Sequence, residues 1–242
     1  MKIYAHRGAS GTHPENTLAA FEEASRLAIH GVEFDVHVSK DGELVVIHDE
    51  TIDRTSNGVG YVKDLTLAEL RAYDYGSWFN EDYAGESIPT LEEVLKTFQH
   101  TTHHVNIELK SDVFPYEEMG EKVLYLVEKM EMADRVVISS FDHEAIRNFK
   151  RSAPHIEVAI LTMEVLVDAY DYARVIPADA LHIFLPTAMR KMTKDALLKG
   201  AIIRVFTVND EDNALALEKI GVHAIFTDFP ERMKHLFDLK HV

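Results

Sequence analysis

Eight strand-then-helix units follow one another along this 242-residue chain, and that alternation is the feature that most narrows what it can fold into. Short β-rich runs are expected at 2–5, through Asp35, and at 105–109, 136–139, 157–161, 180–184, 202–208 and 224–227. Helical patterns separate them, among them 119–130, 143–151, 193–199, 210–220 and a final 231–239. The helix expected between 161 and 180 is the most weakly patterned. Strands that alternate with helices pair in parallel through right-handed crossovers. Eight such units predict an α/β fold, a (β/α)8 TIM barrel. An open doubly wound sheet is the runner-up, but no Gly-x-Gly-x-x-Gly turn follows the first strand. The chain is read as one domain over 1–242. Residues 50–87, irregular and polar, form an insertion too small to own a core.

One excursion interrupts the pattern. In Gly31 to Asp49, Glu33, Asp35 and His37 alternate with Val32, Phe34, Val36 and Val38, so acids take one face and apolar groups the other. Asp41-Gly42 is a turn signal, and a second β-rich run begins at Leu44. If Val38 and Leu44 flank the turn, His48 returns beside Asp35. Helix starts are also legible: Asn16 or Thr17 as a cap, Thr66-x-x-Glu69 as a capping box, and Thr90 with Glu93 as another.

In a barrel of this kind the carboxyl ends of the strands form the reactive mouth. His6, Glu33 and Asp35 end the first two strands, and Asn106, Glu108 and Lys110 share the inward face of the third. Glu33, Asp35 and Glu108 offer only oxygen donors, which suits one hard divalent cation, Mg²⁺ or Ca²⁺. Imidazole ligation would instead favour a transition metal, so the histidines are read as proton-transfer groups outside the metal shell. His6 and His48, on either side of a metal-bound phosphate, would take one proton and give another. Arg7 and Lys110 would face the non-bridging oxygens. Singly, each residue has a plainer reading, such as a Lys110–Glu108 ion pair. Together they would leave uncompensated acid at three strand ends of one opening, which is electrostatically expensive.

Other histidines read more modestly. His37 has the parity of Glu33 but rides up the hairpin, in a solvated or structural role. His100, His103 and His104 read as a solvated helix end. His182 ends a later strand and is a candidate for the mouth. Asp49 either orients His48 or caps a turn.

The formal net charge of −16 argues against a nucleic-acid surface and disfavours anionic membranes. No signal peptide or membrane-spanning run is evident, and there is no cysteine, so a cytoplasmic protein without stable membrane association is expected. Nothing in the sequence sets an oligomeric state.

These residues carry a resemblance. His6-Arg7-Gly8, Pro14-Glu15-Asn16-Thr17, Glu33-Phe34-Asp35-Val36, Asp41-Gly42, His48-Asp49 and Asp53-Arg54-Thr55 are similar to the leading signature of the glycerophosphodiester phosphodiesterases. Blocks at 58–60, 88–93, 106–110, 139–141, 206–209 and 227–230 extend the likeness over essentially the whole chain. The resemblance implies a barrel enzyme that hydrolyses small glycerophosphodiesters to glycerol 3-phosphate and an alcohol. It implies His6 and His48 as the acid/base pair, Glu33, Asp35 and Glu108 as metal ligands, and Arg7 and Lys110 near the phosphate. It also places an aromatic, here Phe206 where the family often has tryptophan, on the leaving-group side. A lysophospholipase D acting on acylated substrates, or an inactive phosphodiester-binding protein, are the alternatives.

Overall fold

A computed structural model describes residues 1–239. The strands are β1 (Lys2–His6), β2 (Gly31–Val38), β3 (Leu44–Val46), β4 (His104–Leu109), β5 (Val136–Ser140), β6 (Glu157–Thr162), β7 (Ala180–Phe184), β8 (Ile202–Phe206) and β9 (Ala224–Thr227). The helices are α1 (Leu18–Arg26), α2 (Leu67–Leu70), α3 (Leu91–Phe98), α4 (Met119–Lys129), α5 (His143–Ser152), α6 (Ala169–Val175), α7 (Leu185–Ala188), α8 (Lys191–Leu198), α9 (Glu211–Ile220) and α10 (Pro230–Asp238). All strands but β3 pair in parallel, and β1 pairs with both β2 and β9, so the sheet closes into the expected eight-stranded barrel. The weakly patterned stretch does hold a helix, α6, while α7, begun by Pro186 in its first turn, had no periodicity long enough to announce it.

β2 outruns the barrel. Its first six residues pair with β4, and Val36–Val38 pair antiparallel with Val46–Leu44, so Val38 and Leu44 do face each other across the turn. Ser39 N–H closes that turn on Glu43 O at 2.9 Å, and Gly42 sits at φ +85°, where a side chain would be strained. Thr66 and Thr90 form reciprocal capping boxes with Glu69 and Glu93. Thr17 caps α1, and Asn16, the other candidate, is turned to a different use described below.

Alternation along each strand sorts side chains into two populations. Ile3, Ala5, Val32, Phe34, Ile107, Ile138, Val158 and Ile203 point outward into the main core beneath the helices. Phe34 meets Phe21 edge-on at 5.4 Å, and Phe21 meets Phe98 in the same way at 6.3 Å. Residues 50–87 bury Ile52, Val62, Leu70 and Tyr75 in a small apolar cluster shared with Val45, Ile47 and Ile88, so the segment is packed onto the β3 side of the barrel. Among the described residues no helix is long and apolar enough to cross a membrane.

Phe34 has no solvent exposure and sits where strand, α1 and α3 meet. Phe34→Ala should therefore destabilise the fold by about 3–5 kcal/mol, read as a lower urea midpoint at unchanged slope.

Candidate active site

The inward-facing population converges at the carboxyl ends of the strands. Asp35 stands opposite Glu108 in the β2–β4 register, and His6 opposite Glu33 in the β1–β2 register. Glu33, Asp35 and Glu108 are buried, and each offers an oxygen within 4.8 Å of the others'. Among the described residues this is the group of acids and histidines close enough to hold a metal ion; the His100, His103, His104 run is not one.

The cluster's electrostatics follow from that crowding. Burial and the neighbouring charges of Asp35 and Glu108 push Glu33 well above the usual carboxylate range. Burial likewise lifts Glu108 to about 7, although Lys110 Nζ donates to its Oε1 at 3.1 Å. Asp35 goes the other way. Burial opposes its ionisation, but His48, Arg7 and Lys110 surround it with positive charge, and Asn16 Nδ2 donates to its Oδ2 at 2.9 Å. A group of buried carboxylates in which one is firmly ionised and two resist ionisation is a site that a cation would relieve. Its donors are all oxygens, as a hard divalent ion requires. The residues therefore fit such an ion.

Arg7 follows β1 in a left-handed backbone conformation, φ 55°, and Gly8 continues it at φ +81°. A side chain on Gly8 would stand 2.8 Å from Ala20, so glycine is needed for the loop to lie against α1. That turn aims the Arg7 N–H at Glu33 Oε2, 3.1 Å away, and leaves the guanidinium between Glu15 (2.8 Å) and Asp35 (3.5 Å).

The two histidines are held alike. His6 Nδ1 donates to Asp228 Oδ1 at 2.7 Å, leaving Nε2 3.9 Å from Glu33 Oε2. His48 Nδ1 donates to Asp49 Oδ1 at 2.6 Å. Each carboxylate thereby fixes its imidazole's tautomer and frees Nε2 for chemistry. Burial would raise the pKa of both acids, yet hydrogen bonds and the imidazoles hold each at about 2. Asp228 also accepts from Ser10 Oγ at 3.0 Å and Asn209 Nδ2 at 2.5 Å.

Asp228 was missed as a partner of His6, although it shares the inward parity of Ala224 and Phe226 on β9, the strand that pairs with β1. Asp49 is the orienting group, not a turn cap. His37 is buried, and its Nε2 donates to the His48 carbonyl at 3.1 Å, so it is structural and not solvated. His182 does not line the mouth. It lies inside the barrel with Nε2 3.0 Å from the buried Arg204 guanidinium, which also pairs with Glu157 at the opposite end of the strands. His103, too, is buried, bonded to Leu27 O at 3.0 Å and edge-on to Phe98, so the solvated reading fails there. Phe206 stands at the end of β8 with Phe141 and Phe184 each 5.9 Å away, an aromatic half of the mouth facing the acidic half.

Comparison with known proteins gives three findings. The glycerophosphoryl diester phosphodiesterase family model matches residues 6–232. A glycerophosphodiester phosphodiesterase of Caldanaerobacter subterraneus subsp. tengcongensis is 41% identical over 97% of this chain and 96% of its own length, and one of Bacillus altitudinis is 43% identical over 96% of each. Among solved structures, an Oleispira antarctica phosphodiesterase in complex with the product sn-glycerol-3-phosphate superposes with a TM-score of 0.93 at 32% identity, covering 98% of this chain and 97% of that one.

Proposed function

The chain belongs to the glycerophosphoryl diester phosphodiesterase family, and from that premise we propose that it hydrolyses glycerophosphodiesters to glycerol 3-phosphate and an alcohol with the aid of one divalent cation. The observation that carries the reading is the meeting of three buried carboxylates with two carboxylate-anchored imidazoles at one barrel mouth.

Glu33, Asp35 and Glu108 would hold Mg²⁺ or Ca²⁺, which when bound polarises the phosphoryl group and offsets the charge of the acids. Lys110 and Arg7 attract the non-bridging phosphate oxygens, and the Arg7 loop sets the distance between phosphate and His6. One imidazole, through Nε2, takes the proton of the attacking hydroxyl, and the other gives its proton to the departing alkoxide oxygen. Asp228 and Asp49 hold a separate proton on each Nδ1, so that transfer is confined to Nε2, and stabilise each ring while both its nitrogens are protonated. The attacking hydroxyl is either water or a hydroxyl of the substrate's own glycerol, and in the second case the roles of His6 and His48 exchange between steps. Phe206, with Phe141 and Phe184, packs against the leaving alcohol.

The test is a panel of glycerophosphocholine, glycerophosphoethanolamine and lysophosphatidylcholine, assayed with Mg²⁺, with Ca²⁺ and with chelator. Release of glycerol 3-phosphate from the first two, dependent on metal, is expected. No turnover of any diester with either ion would refute the enzyme and leave a binding protein. Preferential cleavage of the lysolipid, favoured by the aromatic half of the mouth, would move the assignment to a lysophospholipase D.

A further inference from the structure

Arg54 lies outside the barrel, in the 50–87 segment, and no step above uses it. Its guanidinium nevertheless spans two carboxylates, one bonded to Arg7 and the other to His48. Nη1 donates to Glu15 Oε2 and Nη2 to Glu15 Oε1, each at 2.8 Å. On its other edge Nε donates to Asp49 Oδ2 at 2.7 Å and Nη2 to Asp49 Oδ1 at 3.0 Å. Glu15 Oε1 in turn accepts from Arg7 Nη1, and Asp49 Oδ1 accepts from His48 Nδ1. A continuous row therefore runs from the phosphate-side Arg7 through Glu15, Arg54 and Asp49 to the His48 imidazole.

The row joins two loops that follow different strands. Arg7 and Glu15 sit on the loop after β1, while His48 and Asp49 follow β3, on the excursion beyond the barrel rim. The His48 side chain is one-third exposed, and Asp49, its neighbour in the chain, is its hydrogen-bonding acceptor. An acceptor on the same loop cannot by itself stop ring and carboxylate from swinging together. A third group fixed to the β1 loop can. Exposed ion pairs as a class contribute little to stability, and Arg54 is 44% exposed, but a planar fork bonded along both edges defines position even where it adds little energy.

We propose that Arg54 is a positioning residue for His48: it clamps Asp49 to Glu15 and so holds the imidazole at its working distance from the Arg7 side of the site. The proposal rests on His48 as a proton-transfer group. It gives the 50–87 segment a part in the reaction, because the segment supplies the bridge. The low pKa of both carboxylates accords with their being permanently charged acceptors in it.

The experiment measures kcat, KM and melting temperature for Arg54→Met and Arg54→Lys, alone and in an Asp49→Asn background, with an activated aryl phosphodiester to keep slow variants measurable. Arg54→Met should lower kcat by about 10–100-fold with KM changed less than about threefold, since a misplacement near 1 Å has that cost. Arg54→Lys, which keeps the charge and loses the fork, should recover only part of it. On Asp49→Asn, adding Arg54→Met should cost no more than about twofold, because both act through one imidazole. A kcat for Arg54→Met within about twofold of native, a loss confined to KM, or a loss that multiplies in full on Asp49→Asn would overturn the proposal. If His48→Ala is inactive while Arg54→Met is native-like, the clamp alone is refuted. A fully active His48→Ala would refute the reading of His48 itself.

Discussion

Replacing His48 with alanine should lower kcat by about 10²–10⁴-fold while leaving the folded structure and metal affinity in place. The expectation follows from where the ring sits. Its side chain is one-third exposed, its Nδ1 is committed to Asp49, and its other nitrogen is left without a protein partner in that pair. Removing it takes away a proton donor or acceptor in the transition state and little packing. His6→Ala should lose a comparable factor with a larger cost in stability. His6 keeps company with the mostly buried Asp228, which would then depend on Ser10 and Asn209 alone for its hydrogen bonds. Steady-state rates on glycerophosphocholine, with melting temperature and bound metal measured on the same samples, separate the two contributions. Turnover within a few-fold of native in His48→Ala would end the two-histidine assignment.

Removing divalent metal should abolish turnover and also lower the melting temperature, and the second effect should grow with pH. An ion present at a hundredfold excess over its dissociation constant stabilises the native state by about 2.7 kcal/mol, or roughly 5–10 °C for a chain of this length. The pH sense comes from Glu108. Its ordinary value is 4.5, and in the folded protein burial lifts it to about 7. The metal-free fold therefore binds this proton more tightly than the unfolded chain does. The associated stability is complete below about 4.5 and is lost as pH rises through about 7. Over the same interval the acids shed the protons that compete with metal, so the ion binds better as pH rises. Melting scans at pH 5, 6 and 7.5, with chelator and with Mg²⁺ or Ca²⁺, should show a widening gap. A gap that is absent at pH 7.5, or constant across the range, would sink the cation site.

Several residues mark the boundary between what could be read locally and what could not. Glu33 and Asp35 on one face, Glu108 and Lys110 on another, and the return of His48 beside Asp35 were all legible, because a β-strand repeats every two residues and a hairpin is a local object. Thr66 and Thr90 were legible as caps for the same reason: both partners lie within one turn of helix. Asn16 satisfied the same local rule, but Thr17 is the residue that caps α1, and Asn16, one position earlier at φ 57°, turns its Nδ2 to Asp35. His103 and His182 looked like surface and mouth residues, and both proved to be buried structural groups. The Leu27 carbonyl that His103 bonds, and the Arg204 guanidinium and Phe226 ring beside His182, lie on elements remote in sequence.

By itself, then, the order of residues determined the eight alternating units, the inward parity of the acids and the presence of two imidazoles near them, since periodicity and turn chemistry act over a few residues. Tertiary packing decided the rest. Closure of the barrel set Asp228 against His6 across 222 residues, and the seating of the 50–87 segment set Arg54 against Glu15 across 39. Which charge meets which depends on strand stagger and loop path, and neither leaves a periodic trace in the chain.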